Sequence, residues 1–181
     1  MKPVFVGIDP GKSGGIVAIN EDDTIEHCAV MPVAEGAFDF HAWVKHVSFL
    51  KERYEHEGKS VARLFIEVTF QQLVRERGTA TVKPMRQAHS FAKISGAQLA
   101  MAYFLADNAV KLVHADTWRA EVGLVQYGAE NTWKKAAKEA CTRLWPQNPE
   151  IAKHPGLADS ALMALAAKKG STKAKWRRVG R

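Results

Sequence analysis

The first thirty residues contain three apolar segments of strand length, separated by very short polar links. The segments that we predict as strands are Lys2–Asp9, Gly14–Asn20 and Thr24–Met31. Links of this length are typical of strands that run antiparallel to each other. We therefore expect the chain to begin with an antiparallel three-strand meander, and the rest of the fold has to be built on that sheet.

The remainder of the chain alternates predicted helices with predicted strands. The predicted helices are Phe38–Glu57, Gln87–Asp107, Thr132–Leu144 with Asn131 as its N-cap, and a last one that begins near Pro155; the predicted strands are Val61–Val68 and Val110–Ala115. Between them, Gln71–Arg86 has no clear period, and we interpret it as a basic loop or a short hairpin. This order predicts an α/β fold with a mixed central sheet flanked by helices.

Length and charge indicate one domain, residues 1–167, followed by a basic tail, residues 168–181. The tail holds seven of the 26 Lys and Arg and none of the 19 acids, so the preceding body is balanced in charge. Such a tail is either a solvated terminus or a contact for phosphate groups. Trp176 favours contact with nucleic acid, since a base can stack on it.

The sequence shows neither a membrane-spanning segment nor a targeting signal. No apolar run approaches the ~18 residues that a transmembrane helix needs, and the start of the chain has no apolar or Arg-rich leader. Cys28 and Cys141 are far apart, and we interpret them as reduced thiols rather than as a disulfide. We therefore expect a cytoplasmic protein with no membrane partner.

Three acids and one histidine interrupt apolar stretches in places where they can converge. Asp9 ends the first strand, Glu67 lies near the end of the fourth, and His154 and Asp159 flank the start of the last helix. If the two strands are neighbours, the acids meet at one edge of the sheet, where their charges repel unless divalent cations neutralise them. Oxygen-rich clusters suit Mg²⁺ or Mn²⁺, and two such ions can clamp a scissile phosphate.

Each of these residues also has a simpler interpretation when it is taken alone. Asp9 before Pro10 is a common turn residue, and Glu67 can end a strand in a salt bridge. His154 can be a loop histidine, and Asp159 can cap the first turn of a helix. The functional interpretation therefore depends on their joint placement.

Five segments in order resemble the RuvC-like Holliday-junction resolvases. They are GIDPGKSGG, FIEV, HSFAKISGAQLAMA, ADTWRAEVGL and HPGLADSALMA, and the resemblance spans about residues 4–167. It implies an RNase H-like fold and a homodimer that binds four-way junction DNA. It also implies symmetric nicking with divalent metal, which leaves 5′-phosphate and 3′-hydroxyl ends, without a small-molecule cofactor and in a bacterial or phage-infected cell. An organelle matrix remains open if a transit peptide has been removed.

The resemblance carries catalytic and metal-binding roles to Asp9, Glu67 and Asp159. Bacterial members usually have a further acid one turn before the last one, where this chain has Gly156. Here His154 lies five residues before Asp159, in a His-x4-Asp arrangement similar to the chloroplast-type resolvases, so we take His154 as the fourth ligand. A histidine suits Mn²⁺ better than Mg²⁺, and His154 can alternatively act as an acid-base group.

The resemblance also implies roles for basic residues. A lysine near the start of the penultimate helix belongs to the family's site, and Lys134 is the best match, ahead of Lys135 and Lys138. We expect the following residues to contact the DNA backbone: Lys12, Arg75, Arg77, Lys83, Arg86 and Lys93. In the family the long helix forms much of the dimer interface; the small residues around Gly96 fit that role, and they fit packing on the sheet equally well.

Three other function classes share parts of this pattern. An actin-like or sugar-kinase ATPase has a similar glycine-rich turn but needs a second phosphate loop in a chain about twice as long. A non-catalytic module for branched DNA would keep the basic segment without needing Asp9, Glu67 and Asp159. An RNase H-type nuclease on RNA–DNA hybrids would share the metal chemistry. The junction resolvase is the main prediction, with the last two as alternatives.

Overall fold

The computed structural model describes residues 1–67, 82–124 and 132–170, and of residues 82–93 it describes the backbone alone. The strands in these ranges are β1 (Lys2–Asp9), β2 (Gly15–Ile19), β3 (Ile25–Val30), β4 (Val33–Ala34), β5 (Ala37–Phe38), β6 (Lys59–Glu67) and β7 (Val110–Val113). The α-helices are α1 (Phe40–His56), α2 (Val82–Ala106), α3 (Ala115–Glu121), α4 (Trp133–Leu144), α5 (Pro149–Lys153) and α6 (Pro155–Lys169).

Five of the strands form a mixed sheet in the order β3-β2-β1-β6-β7. The β1–β2 and β2–β3 pairs are antiparallel, as the short links predicted, whereas β1–β6 and β6–β7 are parallel. The predicted mixed sheet is therefore confirmed. The parallel pairing of β1 with β6 matters most, because it brings the carboxyl ends of these two strands together at one edge.

The two faces of the sheet carry different helices. Side chains alternate along a strand, so Val4, Val6 and Ile8 of β1 face a core built with α1 and the C-terminal half of α2. The opposite face packs on α6, which in turn is covered by α3, α4 and α5. This arrangement makes α6 an interior helix, and it is buried along almost its whole length.

Small residues let α6 approach the sheet closely. Gly7 of β1 lies so near the helix that an added Cβ would come within 2.0 Å of the Ser160 carbonyl oxygen. The alanines that fill the rest of α6 bury apolar surface without bulk. Leu157, Ala161, Leu162 and Leu165, which follow a helical period, are buried. The opposite side of the helix is buried too, which the sequence pattern did not predict.

Several boundaries and short elements differ from the predictions. The helices α3 and α5 and the β4–β5 hairpin were not predicted, and Ala115 begins α3 instead of ending a strand. The helix α2 begins at Val82, within the segment predicted as a basic loop or hairpin, whose other residues up to 81 lie outside the described part of the chain. The N-cap of α4 is Thr132, whose side chain accepts from the Lys135 N–H, rather than the predicted Asn131.

Two further expectations concern α1 and the cysteines. Trp43, Val47, Leu50 and Tyr54 of α1 recur at three- and four-residue spacing and are buried, whereas Phe40 at the first position is exposed. Cys28 and Cys141 are free thiols. Among the described helices, none has the length and apolar character needed to cross a membrane.

Candidate active site

Asp9 and Glu67 end neighbouring strands and lie on the same face of the sheet. The parallel register pairs Ile8 with Ile66, so Asp9 and Glu67 follow at adjacent positions. Ile8 and Ile66 both point into the core beneath α1 and α2, and the next residue of each strand therefore faces α6. The sequence predicted this convergence on the condition that the two strands are neighbours, and they are.

Asp159 reaches the same edge from α6. The helix crosses β1 at Gly7, and Asp159 precedes Ser160, the residue whose carbonyl contacts that glycine. Ser160 is itself fully buried, and its hydroxyl accepts from the Asp9 N–H at 3.0 Å. The same hydroxyl lies 2.8 Å from the Gly15 carbonyl oxygen and 2.7 Å from that of Gly156, to which it donates. Ser160 thus joins β1, β2 and α6 beside two of the acids.

Burial and neighbouring negative charge make Asp9 and Asp159 costly to ionise. The pKa of Asp9 lies well above its ordinary value because of burial, and next because of the negative charges of Asp159 and Glu67. The pKa of Asp159 is raised to about 6, first by burial and then by Glu67. Acids whose pKa values are raised by burial and by one another are a frequent mark of functional sites.

Two cations oppose this accumulation of negative charge. Lys134 at the start of α4 and Arg119 in α3 both lower the pKa values of Asp9 and Asp159. Of the three lysines considered in the sequence, Lys134 is the one whose charge reaches both acids. Its side chain is exposed, so it remains accessible to a bound anion.

Arg119 was not predicted from the sequence, although it lies within one of the segments that carry the resemblance. Its guanidinium carbon lies 5.1 Å from the ring centroid of Trp118 and 4.9 Å from that of Trp133. Its Nε is buried and has no hydrogen-bond partner among the described residues. The two indole rings hold the guanidinium beside the acids while part of its donor capacity stays unused.

Trp118 also fixes the position of Glu67. The Trp118 indole Nε1 donates to Glu67 Oε2 at 2.8 Å, and the Trp118 side chain is fully buried. A bond from a rigid, buried donor leaves the carboxylate little freedom to turn away from the edge. The short helix α3 thus supplies two adjacent residues to the site, one that orients an acid and one that balances charge.

His154 lies at the junction of α5 and α6 and caps the latter helix. Its Nδ1 accepts from the Leu157 N–H at 3.4 Å. A neutral imidazole carries one ring proton, so a ring that accepts at Nδ1 has its N–H at Nε2. In this conformation Nε2 carries the ring proton and is a hydrogen-bond donor, so a metal could bind at that atom only if the bond from Leu157 to Nδ1 were broken.

Gly156 occupies the position where the resemblance would place a further acid, and the structure shows what surrounds this glycine. A Cβ at Gly156 would come within 2.2 Å of the Ser13 carbonyl oxygen and 2.6 Å of the Gly14 Cα. The backbone of the loop after β1 therefore fills the space that a carboxylate would need. This packing leaves no room for a fourth acid at that position.

The carboxylates of Asp9, Glu67 and Asp159 are suitable ligands for divalent cations, but in this structure they do not lie close enough to bind one ion together. Carboxylate oxygens such as these are the ligands that Mg²⁺ and Mn²⁺ prefer. In residues 1–67, 82–124 and 132–170, however, no three His, Cys, Asp or Glu side chains lie close enough to share one ion. A bound cation would have to bring the carboxylates closer, as its attraction for each of them would do.

The predicted DNA-contacting residues are placed unevenly by the structure. Lys12 is exposed on the loop after Asp9, and its Nζ donates to the Gly36 carbonyl oxygen at 2.6 Å. Lys83, Arg86 and Lys93 lie on the N-terminal half of α2, of which only the backbone is described, and Arg75 and Arg77 lie outside the described residues.

Comparisons with known proteins give matches at the level of the fold. No protein-family model matches the chain, and the search of curated protein sequences also found no match. Among solved structures, the chain is similar to Thermus thermophilus RuvC in complex with a Holliday junction substrate, with 16% identity, 90% of each chain covered and a TM-score of 0.52. A second Thermus thermophilus RuvC structure matches with 15% identity, a TM-score of 0.51 and coverage of 93% of this chain and 97% of that one. The chain has the RNase H-like fold that these structures share.

Proposed function

We propose that this protein is a structure-specific endodeoxyribonuclease that resolves four-way DNA junctions by metal-dependent symmetric nicking. The observation that carries the proposal is the cluster of Asp9, Glu67 and Asp159 at the edge where β1 and β6 end, on the fold of a protein that is known in complex with a Holliday junction. The ordered sequence segments support the same substrate. We expect ends with 5′-phosphate and 3′-hydroxyl groups.

In this proposal the three carboxylates hold the metal, with Mg²⁺ or Mn²⁺ bound as two ions per site. Bound ions would activate water on one side of the phosphate and stabilise the leaving oxygen on the other. Trp118 keeps the Glu67 carboxylate turned to this edge through its 2.8 Å bond. Ser160 fixes the backbone of Asp9, so both strand-end acids are held before substrate arrives.

The basic residues and the histidine take the remaining roles. Arg119 and Lys134 lie near enough to the acids to balance charge that builds on a phosphate in the transition state. His154 presents its Nε2–H as a hydrogen-bond donor, which in this proposal stabilises negative charge on the leaving oxygen. Its similarity to the chloroplast-type resolvases stays a prediction from sequence.

The test is cleavage of defined substrates with Mg²⁺ or Mn²⁺ present. A synthetic four-way junction, a linear duplex and an RNA–DNA hybrid are incubated with the wild type, with Asp9→Asn and with Asp22→Asn, an exposed acid on the β2–β3 turn. We expect paired, ligatable nicks confined to the junction, lost in Asp9→Asn by at least ~10³-fold and unchanged in Asp22→Asn.

Other outcomes would point to the alternatives. Degradation of the hybrid alone would contradict the resolvase and favour an RNase H-type nuclease. Tight junction binding without cleavage in either metal would favour a non-catalytic module for branched DNA. Junction affinity of Asp9→Asn, measured without divalent metal, should stay within about twofold of the wild type, because Asp9 serves the reaction more than the contact.

We also propose that the protein works as a homodimer through the outer face of α2. Gly96 and Ala100 are exposed there, one turn apart, and they are followed by Tyr103 and Phe104 with 48% and 44% of their surface accessible. No described atom lies within 4 Å of a Cβ built on Gly96, so this glycine does not pack on the sheet. Gly96→Glu should leave the fold intact and give a monomer by analytical ultracentrifugation. A dimer that persists in this variant would contradict the assignment.

A further inference from the structure

Gln98 is a buried polar residue on the face of α2 that packs into the core. Its side chain is fully buried, and the neighbouring positions Leu99, Ala102, Leu105 and Ala106 all pack into the core against the sheet. The side-chain Oε1 accepts from the Gly11 N–H at 3.1 Å, while Nε2 is buried with no partner among the described residues. A half-satisfied amide in a core is costly, so its presence calls for a reason other than packing.

The bond from Gln98 reaches the loop that follows Asp9. Gly11 has φ of +120°, a conformation that glycine adopts without strain, and its carbonyl accepts from the Gly14 N–H at 3.2 Å. Gly14 in turn lies so close to Asp9 that an added Cβ would meet the Asp9 carbonyl oxygen at 1.9 Å. The loop is therefore a tight turn folded back on the acid, and any shift at Gly11 is transmitted to Asp9.

The loop is anchored from both faces of the sheet. Ser160 of α6 holds the Asp9 N–H from one face, and Gln98 of α2 holds the Gly11 N–H from the other. Both anchors are fully buried, and each bonds a backbone group within two residues of the carboxylate. The Lys12 side chain and the Met31 N–H also form bonds from or to this loop, but Gln98 is the acceptor of the Gly11 N–H itself.

We infer that Gln98 is a positioning residue, which sets the place of the Asp9 carboxylate through its bond to Gly11. The inference rests on the proposed nuclease function for its consequence in catalysis, though not for the contact itself. Gln98 touches neither substrate nor metal in this account. Its polar group is kept in the core because the turn needs an acceptor on that side.

The test compares Gln98→Met with Leu105→Ala, which removes a buried side chain seven residues further along the same helix. Methionine fills a similar volume without an acceptor, so Gln98→Met should keep its thermal midpoint while the Gly11 amide exchanges its hydrogen at least ~10-fold faster by NMR. Single-turnover junction cleavage should fall ~10–100-fold with metal-free junction affinity unchanged, as expected for a displaced catalytic group.

The controls separate positioning from general destabilisation. Leu105→Ala should lower the thermal midpoint and leave both Gly11 exchange and the cleavage rate of the folded protein unchanged. Gln98→Glu keeps an acceptor and should keep the Gly11 amide protected. Unchanged exchange and cleavage in Gln98→Met would overturn the inference, as would a loss of cleavage in Leu105→Ala of the same size. If the wild type cuts no junction, the nuclease proposal fails, and the Gly11 exchange in Gln98→Met still decides whether Gln98 holds the turn.

Discussion

Acids and cations lie at both ends of the β1–β6 strand pair, but carboxyl pKa values are lowered at one end and raised at the other. At the start of β6, Lys59 lies 2.6 Å from Glu26 and 2.7 Å from Glu57, and Arg53 lies 2.8 Å from the latter. These cations lower the pKa of Glu57 to about 2, with Lys59 the larger influence and Arg53 the next. At the carboxyl ends of the strands, burial and neighbouring acids instead raise the pKa values of Asp9 and Asp159.

This difference in pKa shows which end of the strand pair has acids whose charges are not fully compensated. Near the start of β6, which we call the far end, Glu26 and Glu57 each form an ion pair with a cation. Such pairs are expected for charges that serve stability or solubility. At the acid cluster of Asp9, Glu67 and Asp159, two cations offset the repulsion between the carboxylates only in part. The Lys134 side chain is exposed, and the guanidinium of Arg119 has a donor without a partner among the described residues. Groups held at such a cost are usually held for function, and the predictions below test this contrast.

After the loss already predicted for Asp9→Asn, the largest effect is expected from removing the arginine at the acid cluster. Arg119→Met should lower single-turnover cleavage by ~10²-fold or more, since one positioned cation near a reacting phosphate contributes that much. The carboxyl pKa values should rise further, because a cation that lowers them is lost. Lys134→Met should act in the same direction, and the double variant should lose less than the product of the two single losses if both cations meet one phosphate.

Arg119→Lys is the informative companion to this variant. Lysine keeps the charge but cannot span the two indole rings as a flat guanidinium does, so we expect it to restore only part of the activity. Full activity in Arg119→Met would show that the cation serves the fold alone.

The next effect concerns the missing fourth acid. Gly156→Asp should destabilise the protein by about 3 kcal/mol or more, because its Cβ collides with the backbone of Ser13 and Gly14 and neither can yield as a side chain would. Urea unfolding measures the change. Gly96→Ala is the matched control, since its Cβ meets no described atom and alanine favours a helix by about 1 kcal/mol. A well-folded Gly156→Asp would contradict the packing described for this loop.

A third effect is the pH dependence of stability without divalent metal. The folded-state pKa of Asp159 is raised to about 6 from 3.8, so its protonated form stabilises the fold fully below pH 4, and this contribution is lost as pH rises through 6. His27 acts oppositely in the same range. Burial, and next His46, lower its pKa from 6.5 to about 4, and its contribution is gained as pH rises.

The quantity to measure is therefore the difference between Asp159→Asn and the wild type. The free energy of unfolding of the Asp159→Asn variant should rise relative to that of the wild type by about 2 to 3 kcal/mol between pH 4 and pH 7. This magnitude follows from the shift of about two units in the pKa of Asp159. Adding Mn²⁺ at pH 7 should stabilise the wild type and leave Asp159→Asn nearly unaffected. A pH-independent difference would contradict the repulsion inferred at this edge.

The smallest effect is expected at the far end. Glu26→Gln removes one partner of Lys59 while Glu57 remains, and it should cost less than about 1 kcal/mol in urea unfolding. Junction cleavage should not change. If Glu26→Gln alters cleavage as strongly as a change at the acid cluster, the two ends do not differ in role as proposed.

The sequence predicted the parts of the fold that depend on local pattern. Apolar runs of strand length predicted β1, β2, β3 and β6 to within a few residues, apolar residues at three- and four-residue spacing predicted α1, and the short links predicted the antiparallel start. The same reasoning brought Asp9, Glu67 and Asp159 to one edge, because it needed only the neighbour relation of two strands. Lys134 was named from the resemblance, and its charge does reach the acids.

The remaining features depend on contacts between distant segments. Helix α3 has seven residues, too few for a helical period to stand out, so Trp118 and Arg119 could not be assigned. Arg119 gains its place only because Trp133 arrives from another helix. The absence of room at Gly156 and the bond from Gln98 to Gly11 likewise follow from tertiary approach, which leaves no local pattern in the sequence.

The direction of α6 has a practical consequence for handling the protein. The helix runs from the acids to the opposite end of the sheet, where Arg63 donates to the Ala167 carbonyl oxygen and Lys168 bonds to Asp23. Ten residues of helix separate Asp159 from Lys169, which is about 15 Å along the axis. Because β1 also begins at that end, a fluorophore or surface tether joined after α6 or before β1 would leave the acid edge facing outward and free for substrate.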